Sequence, residues 1–177
     1  MKLKDTLIGL FALALLGGIG YLWLAPAGLA KAPDITVSTI RGEQIPLSKL
    51  RGQPVLVNFW ATTCPGCIKE MPHLVELYKE LAPKGFEMIG IAMSYDPPNQ
   101  VIALSDARKL PYPIALDIQD DAARAFGDVR LTPSSFLIAP DGRVVHQKIG
   151  ELDIPKVRAM IVDMLAQSDT PQAMSQN

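Results

Sequence analysis

The chain has two cysteines, Cys64 and Cys67, in the run Trp60-Ala-Thr-Thr-Cys-Pro-Gly-Cys-Ile-Lys-Glu70. Two residues separate them, so a helix opening here brings the sulfurs together across its first turn. An apolar run ending at Trp60 precedes the pair and a helical pattern follows it. That places Cys64 beside the free N–H groups and the positive end of a helix dipole, which favour thiolate over thiol. Such a pair is a dithiol/disulfide switch. Cys64, ahead of the first turn and toward solvent, attacks a partner disulfide. Cys67, one turn in and more buried, resolves the mixed disulfide.

Other uses of two cysteines fit less well. A tetrahedral zinc site wants four ligands. There is no second cysteine pair, and the two histidines, His73 and His146, are not at zinc spacing. A purely structural bridge across so short a loop would constrain little of the unfolded chain. His73 falls on the helix after the pair at a surface or boundary position, and His146 on an exterior strand face. Met71, Met88, Met93, Met160 and Met164 mostly keep apolar spacing, as core residues do.

The elements that must hold the pair can be read from periodicity. Ile35 to Ile40 and Glu43 to Leu47 flank Arg41-Gly42 and form a small hairpin. Ser48 to Leu50 is one helical turn. Val55 to Trp60 is a buried central strand. Ile68, Met71, Leu74, Val75, Leu77, Tyr78 and Leu81 recur at helical spacing, ended by Pro83 and Gly85. Phe86 to Met93 is a second buried strand, so strand, helix and strand make a parallel crossover. Asp96-Pro-Pro98 interrupts the pattern. A helix over Val101 to Leu110, a strand over Pro113 to Leu116 and a short helix over Asp120 to Phe126 follow. Ser135 to Ala139 and Arg143 to Ile149 flank the turn Pro140-Asp-Gly142. Asp153 caps a last helix.

The 177 residues carry a formal charge of −1, which gives no reason to expect nucleic acid as a partner. Leu7 to Leu24 contains no charge. At ~1.5 Å per residue it spans about 27 Å, close to a hydrocarbon core of ~30 Å. Lys2 and Lys4 precede it, which puts the N-terminus in the cytoplasm. Its length favours an uncleaved anchor. A signal peptide cut after Ala27 or Ala30 is the competing reading. Both export the rest of the chain to an oxidising compartment. The expected organisation is residues 1–6 cytoplasmic, 7–25 a transmembrane anchor, 26–33 a linker, 34–167 one α/β domain and 168–177 a disordered tail.

Phe59-Trp-Ala61, Cys64-x-x-Cys67, Pro72 and Thr132-Pro133 ahead of a strand resemble the thioredoxin superfamily. The leading hairpin, Asn58, Glu70, the insertion from about Asp96 to Gly127 and the apolar N-terminus resemble its membrane-anchored TlpA/ResA/CcmG group. The resemblance implies a thioredoxin-like fold, a mixed sheet flanked by helices, with an N-terminal hairpin and a central insertion. It implies that Pro133 is a cis-proline shaping a substrate groove and that Thr132 offers backbone hydrogen bonds to a client. Glu70 matches the acid that tunes the cysteines in this group; an ordinary solvated charge is the alternative. Trp60 would pack beside the pair at the groove, or simply fill the core. No metal or organic cofactor is implied.

The same resemblance implies a periplasm-facing, monomeric disulfide reductase on the inner membrane. Its electrons would come from a membrane reductase of the DsbD/CcdA type. Its clients would be exported proteins such as apocytochrome c or copper-site assembly proteins. Two departures stand out. Pro65-Gly66 reverses the usual order between the cysteines, and Thr63 replaces a second tryptophan. Asn58 also stands where thioredoxins bury an aspartate, which leaves Glu70 to handle the Cys67 proton. Two alternatives remain: a thioredoxin-fold peroxidase, although Trp60-Ala-Thr-Thr63 lacks the peroxidase pattern before its cysteine, and a non-enzymatic Cu(I) carrier using His146.

Overall fold

Successive side chains of a strand face opposite ways, and the apolar Val55–Trp60 run has a core waiting on each side. Leu56 and Trp60 pack with one apolar cluster, Val55, Val57 and Phe59 with another. The computed structural model describes residues 31–168. The expected membrane segment, 7–25, and residues 169–177 of the expected tail lie outside the described residues. Among the described residues no helix is long and apolar enough to cross a membrane.

The order is β1 (Thr36–Ser38), β2 (Gln44–Pro46), a 3-10 turn (Leu47–Leu50), β3 (Val55–Trp60) and α1 (Pro65–Leu81). After it come β4 (Glu87–Ala92), α2 (Pro98–Arg108), β5 (Ile114–Leu116) and α3 (Asp121–Ala125). The chain finishes with β6 (Ser134–Ile138), β7 (Val144–Ile149) and α4 (Ile154–Ser168). The main sheet has five strands in the order β5-β4-β3-β6-β7. β3 runs parallel to β4 and antiparallel to β6, so the sheet is mixed. The crossover from β3 through α1 to β4 is the expected parallel unit.

One face of the sheet carries α1 and α4, whose Leu74, Leu77, Leu81, Val157 and Ile161 are buried in a cluster that includes Cys67. On the other, Phe126 and Phe136 stack edge-on against Phe59 at 5.4 and 5.9 Å between ring centres. The β1–β2 hairpin is a separate two-stranded sheet. Thr39 bridges it to Ala115 on β5, and the Ile40 N–H donates to the Ile114 carbonyl at 2.8 Å.

Several boundaries differ from the sequence reading. α2 begins at Pro98, three residues ahead of Val101, because proline at the first helical position surrenders an N–H that has no partner there anyway. α1 starts at Pro65 for the same reason. β6 begins one residue early, at Ser134, whose hydroxyl donates to the Leu131 carbonyl at 2.6 Å. Asp153 does cap α4: its Oδ1 accepts from the Lys156 N–H at 3.1 Å. Contact with the domain begins before Asp34, since the Ala32 N–H donates to the Gly142 carbonyl at 2.8 Å.

Candidate active site

α1 opens on the cysteine pair. Cys64 is its N-cap, with extended backbone, and its Sγ accepts from the Cys67 N–H at 3.2 Å. The Ile68 N–H donates to the Cys64 carbonyl at 3.1 Å, the first bond of the helix. The two sulfurs are joined in a disulfide, with Cα atoms 5.3 Å apart. Cys64 is half-buried and Cys67 is buried at 2 % exposure. The two sulfurs therefore differ in access, and an N–H is aimed at the accessible one. Once reduced, a thiolate at Cys64 keeps that donor.

Glu70 is one turn beyond Cys67 and is not a solvated charge: it is 3 % exposed. Its Oε1 accepts from the Leu152 N–H at 2.6 Å, while Oε2 has no hydrogen-bond partner among the described residues. Burial pushes the Glu70 carboxyl above its ordinary range; the Leu152 N–H opposes this, Glu151 reinforces it and His73 opposes it. Burial, then the charge of Glu70, also raises the phenol of Tyr112.

Pro133 is buried and follows a cis peptide bond from Thr132. A Cβ added to Gly66 would lie 3.5 Å from Pro133 Cδ and 3.8 Å from Glu151 Oε1. Glycine between the cysteines thus leaves open the space where the pair faces Pro133. The Pro133 carbonyl accepts from the Gly150 N–H at 2.8 Å, which ties this segment to the end of β7. Thr132 is half-buried beside it.

Trp60 differs from its expected place at the substrate groove. It is 2 % exposed and lies in the same apolar cluster as Cys67, Met71 and Tyr112, as the core-filling alternative expects. Its indole N–H has no hydrogen-bond partner among the described residues. Asn58 faces Ser135 across the β3–β6 register, and its Nδ2 donates to the Ser135 hydroxyl at 2.8 Å. His73 is exposed on α1, and His146 is half-buried on β7, where burial and the nearby Lys156 and Lys148 hold its pKa down. Among the described residues no group of three or more His, Cys, Asp or Glu side chains is placed to hold a metal ion.

Sequence reasoning missed Asp96, Tyr95 and the Glu151–Leu152 segment. Asp96 looked like part of a Pro-rich break, yet it is 3 % exposed. Its Oδ2 accepts from the Thr62 N–H at 2.6 Å, and its Oδ1 from the Thr62 hydroxyl. It therefore clamps the loop that leads into Cys64. Glu151 pairs with Lys69 at 2.9 Å on the rim. No local pattern marks Leu152, whose contribution is a backbone N–H.

A mixed sheet of this order, with a cysteine pair capping the helix after its central strand and a cis-proline facing it, defines a thioredoxin-fold thiol-disulfide oxidoreductase. Within that class the chain belongs to the AhpC/TSA family, which matches residues 29–147. It is 39% identical over 124 residues to the thiol-disulfide oxidoreductase ResA of Bacillus thuringiensis (strain Al Hakam), covering 68% of this chain and 69% of that one. ResA of Halalkalibacterium halodurans is 35% identical over 127 residues, covering 72% and 70%. Among solved structures, a thiol:disulfide interchange protein of Chlorobium tepidum superposes with a TM-score of 0.71 at 28% identity, over 79% of this chain and 99% of that one. StoA of Bacillus subtilis gives 0.62 at 26%, over 76% and 98%.

Proposed function

We propose that this protein reduces disulfides of exported proteins from the outer face of the cytoplasmic membrane. The observation that carries the reading is the asymmetry of the pair. Cys64 is accessible and receives an N–H, while Cys67 is buried behind it on the helix that bears Glu70.

In the reduced protein the Cys64 thiolate attacks one sulfur of the client disulfide. That S–S bond breaks, a Cys64–client bond forms, and the first client sulfur leaves as thiolate. Cys67 then attacks the Cys64 sulfur, the internal disulfide forms, and the second client thiolate departs. Two electrons pass from the dithiol to the client. Cys67 must lose its proton for the second step. Glu70, three residues on along the same helix, takes it. A carboxylate with a raised pKa is a better acceptor near neutral pH than an ordinary one.

Thr132 and Pro133 form the wall against which the client backbone lies. The apolar run Leu7–Leu24 anchors the chain, and a membrane dithiol donor of the DsbD/CcdA type returns the two electrons. Apocytochrome c and copper-site assembly proteins are the client classes, and the protein works as a monomer. Likeness to the ResA proteins supports the chemistry, and the N-terminal composition supports the location.

The test is a Cys67→Ser variant of the full chain expressed in a Gram-negative host. Mass spectrometry should find exported proteins joined to Cys64. Adducts with cytoplasmic proteins only, or consumption of hydrogen peroxide in place of insulin reduction by the wild type, would overturn the reading.

A further inference from the structure

Six large apolar side chains are well exposed among the described residues, and three of them gather at the redox site. Tyr95 is 58% exposed, and its hydroxyl lies 3.5 Å from the Thr132 hydroxyl. Leu131, 62% exposed, directly precedes Thr132. Ile149, 56% exposed, is the register partner of Ser134, the residue after Pro133. Exposed apolar groups that converge, rather than scatter, mark a contact surface.

Tyr95 is held where it is. The Asp96 N–H donates to the Met93 carbonyl at 3.0 Å, closing a turn with Ser94 and Tyr95 at its corners. The Asp96 carboxylate grips Thr62, two residues ahead of Cys64. One buried acid thus fixes the spacing between Tyr95 and the nucleophile loop. Beyond Tyr95 opens a cleft of about 420 Å³, lined in part by Met93 and Val129 and by the charged Arg124, Arg130, Asp120 and Asp128. Arg124 pairs with Asp121, and Arg130 with Asp128 at 3.5 Å. Each of those cations has a counter-charge, and the side chains of the edge nearest Thr132 and Pro133, Tyr95 and Leu131, present exposed apolar surface.

We infer that Tyr95 and Leu131 form a specificity lip that selects client segments carrying an aromatic or aliphatic side chain beside the attacked cysteine. A tyrosine ring held by its own turn presents contact area at little entropic cost. The client must bring its disulfide to Cys64, so its chain crosses this edge. The inference rests on the reading of the protein as a reductase of protein disulfides. Asp96 is a positioning residue in this scheme and does not touch the client.

The full chain in detergent micelles, reduced beforehand, is mixed with each of two peptides containing an internal disulfide. The peptides differ only in Phe or Ser next to the attacked cysteine, and acid-quenched samples give the second-order rates. Wild type should favour the Phe peptide by roughly tenfold, as apolar pockets do for added apolar atoms. Tyr95→Ala and Leu131→Ser should each shrink that ratio toward one, while Val162→Ser, on the remote helix α4, should keep it. A wild-type ratio near one, a ratio that persists in both lip variants, or equal loss in Val162→Ser would overturn the inference. Hydroxyethyl disulfide separates the two failures. If wild type reduces it but neither peptide, the protein-client reading fails as well.

Discussion

Burying Glu70 makes the stability of the oxidised protein depend on pH. The folded carboxyl has its pKa raised above the ordinary value of 4.5 by burial, so the folded state holds its proton more tightly than the unfolded chain. Stability is therefore greatest when Glu70 is protonated. It falls as pH rises from 4.5 through the raised value. Glu70→Gln mimics the protonated acid and can still accept from the Leu152 N–H. Urea unfolding with the disulfide intact should show equal stability for the two proteins below the ordinary carboxyl range. Above it, the variant should gain, to a plateau. Equal stability at every pH would show that the carboxylate is not destabilised by its site. Spacing alone puts Glu70 within reach of the pair, since residues three apart on a helix share a face, while the tuning role expected of it came from the resemblance. Its burial was not, because it depends on the β7–α4 loop folding back over α1 to present Leu152.

Two element contacts decide how firmly the pair is held. β4 passes under Trp60 at Gly90, where an added Cβ would lie 2.9 Å from Ile114 Cδ1 and 3.2 Å from Trp60 Nε1. Gly90→Ala should cost about 1–3 kcal/mol, read from denaturant midpoints, as overpacked cores do. The Asp96 carboxylate ties the β4–α2 loop to the β3–α1 loop, accepting from the Thr62 N–H and hydroxyl through its two oxygens. Asp96→Ala should destabilise by about 2 kcal/mol and slow alkylation of reduced Cys64, since a hydrogen-bonded buried carboxylate is lost. Unchanged alkylation with lowered stability would show that the clamp serves the fold and not the nucleophile. Most strands and helices were legible because apolar periodicity survives in β3, β4, α1 and α4. The start of α2 was not. Pro97-Pro98 reads as a stop, and only the helix that follows shows that Pro98 is its first residue.

At the scale of the molecule, topology brings the site together from segments far apart in sequence. β3 and β4 are parallel, so the loops after Trp60 and Ala92 leave the sheet at the same edge. β6 is antiparallel to β3, so its start, at Thr132-Pro133, lies at that edge as well. β7 reverses again, and its end brings Gly150, Glu151 and Leu152 there. Ligands meet open α/β sheets at the carboxyl ends of their parallel strands for this reason. The cysteine pair and its chemistry could be read locally, from two residues and a helix start. The lip at Tyr95 and the clamp at Asp96 could not, because each is a contact made across the sheet edge.

In the proposed cycle Cys64 attacks and Cys67 resolves. The most direct measurement mixes purified, reduced Cys67→Ser and Cys64→Ser variants with a disulfide-containing client and maps the adducts by mass spectrometry. A stable mixed disulfide should form at Cys64 in the first variant, and little or none in the second, whose remaining cysteine, Cys67, is buried at 2 % exposure. Adducts that form faster through Cys67 would contradict it.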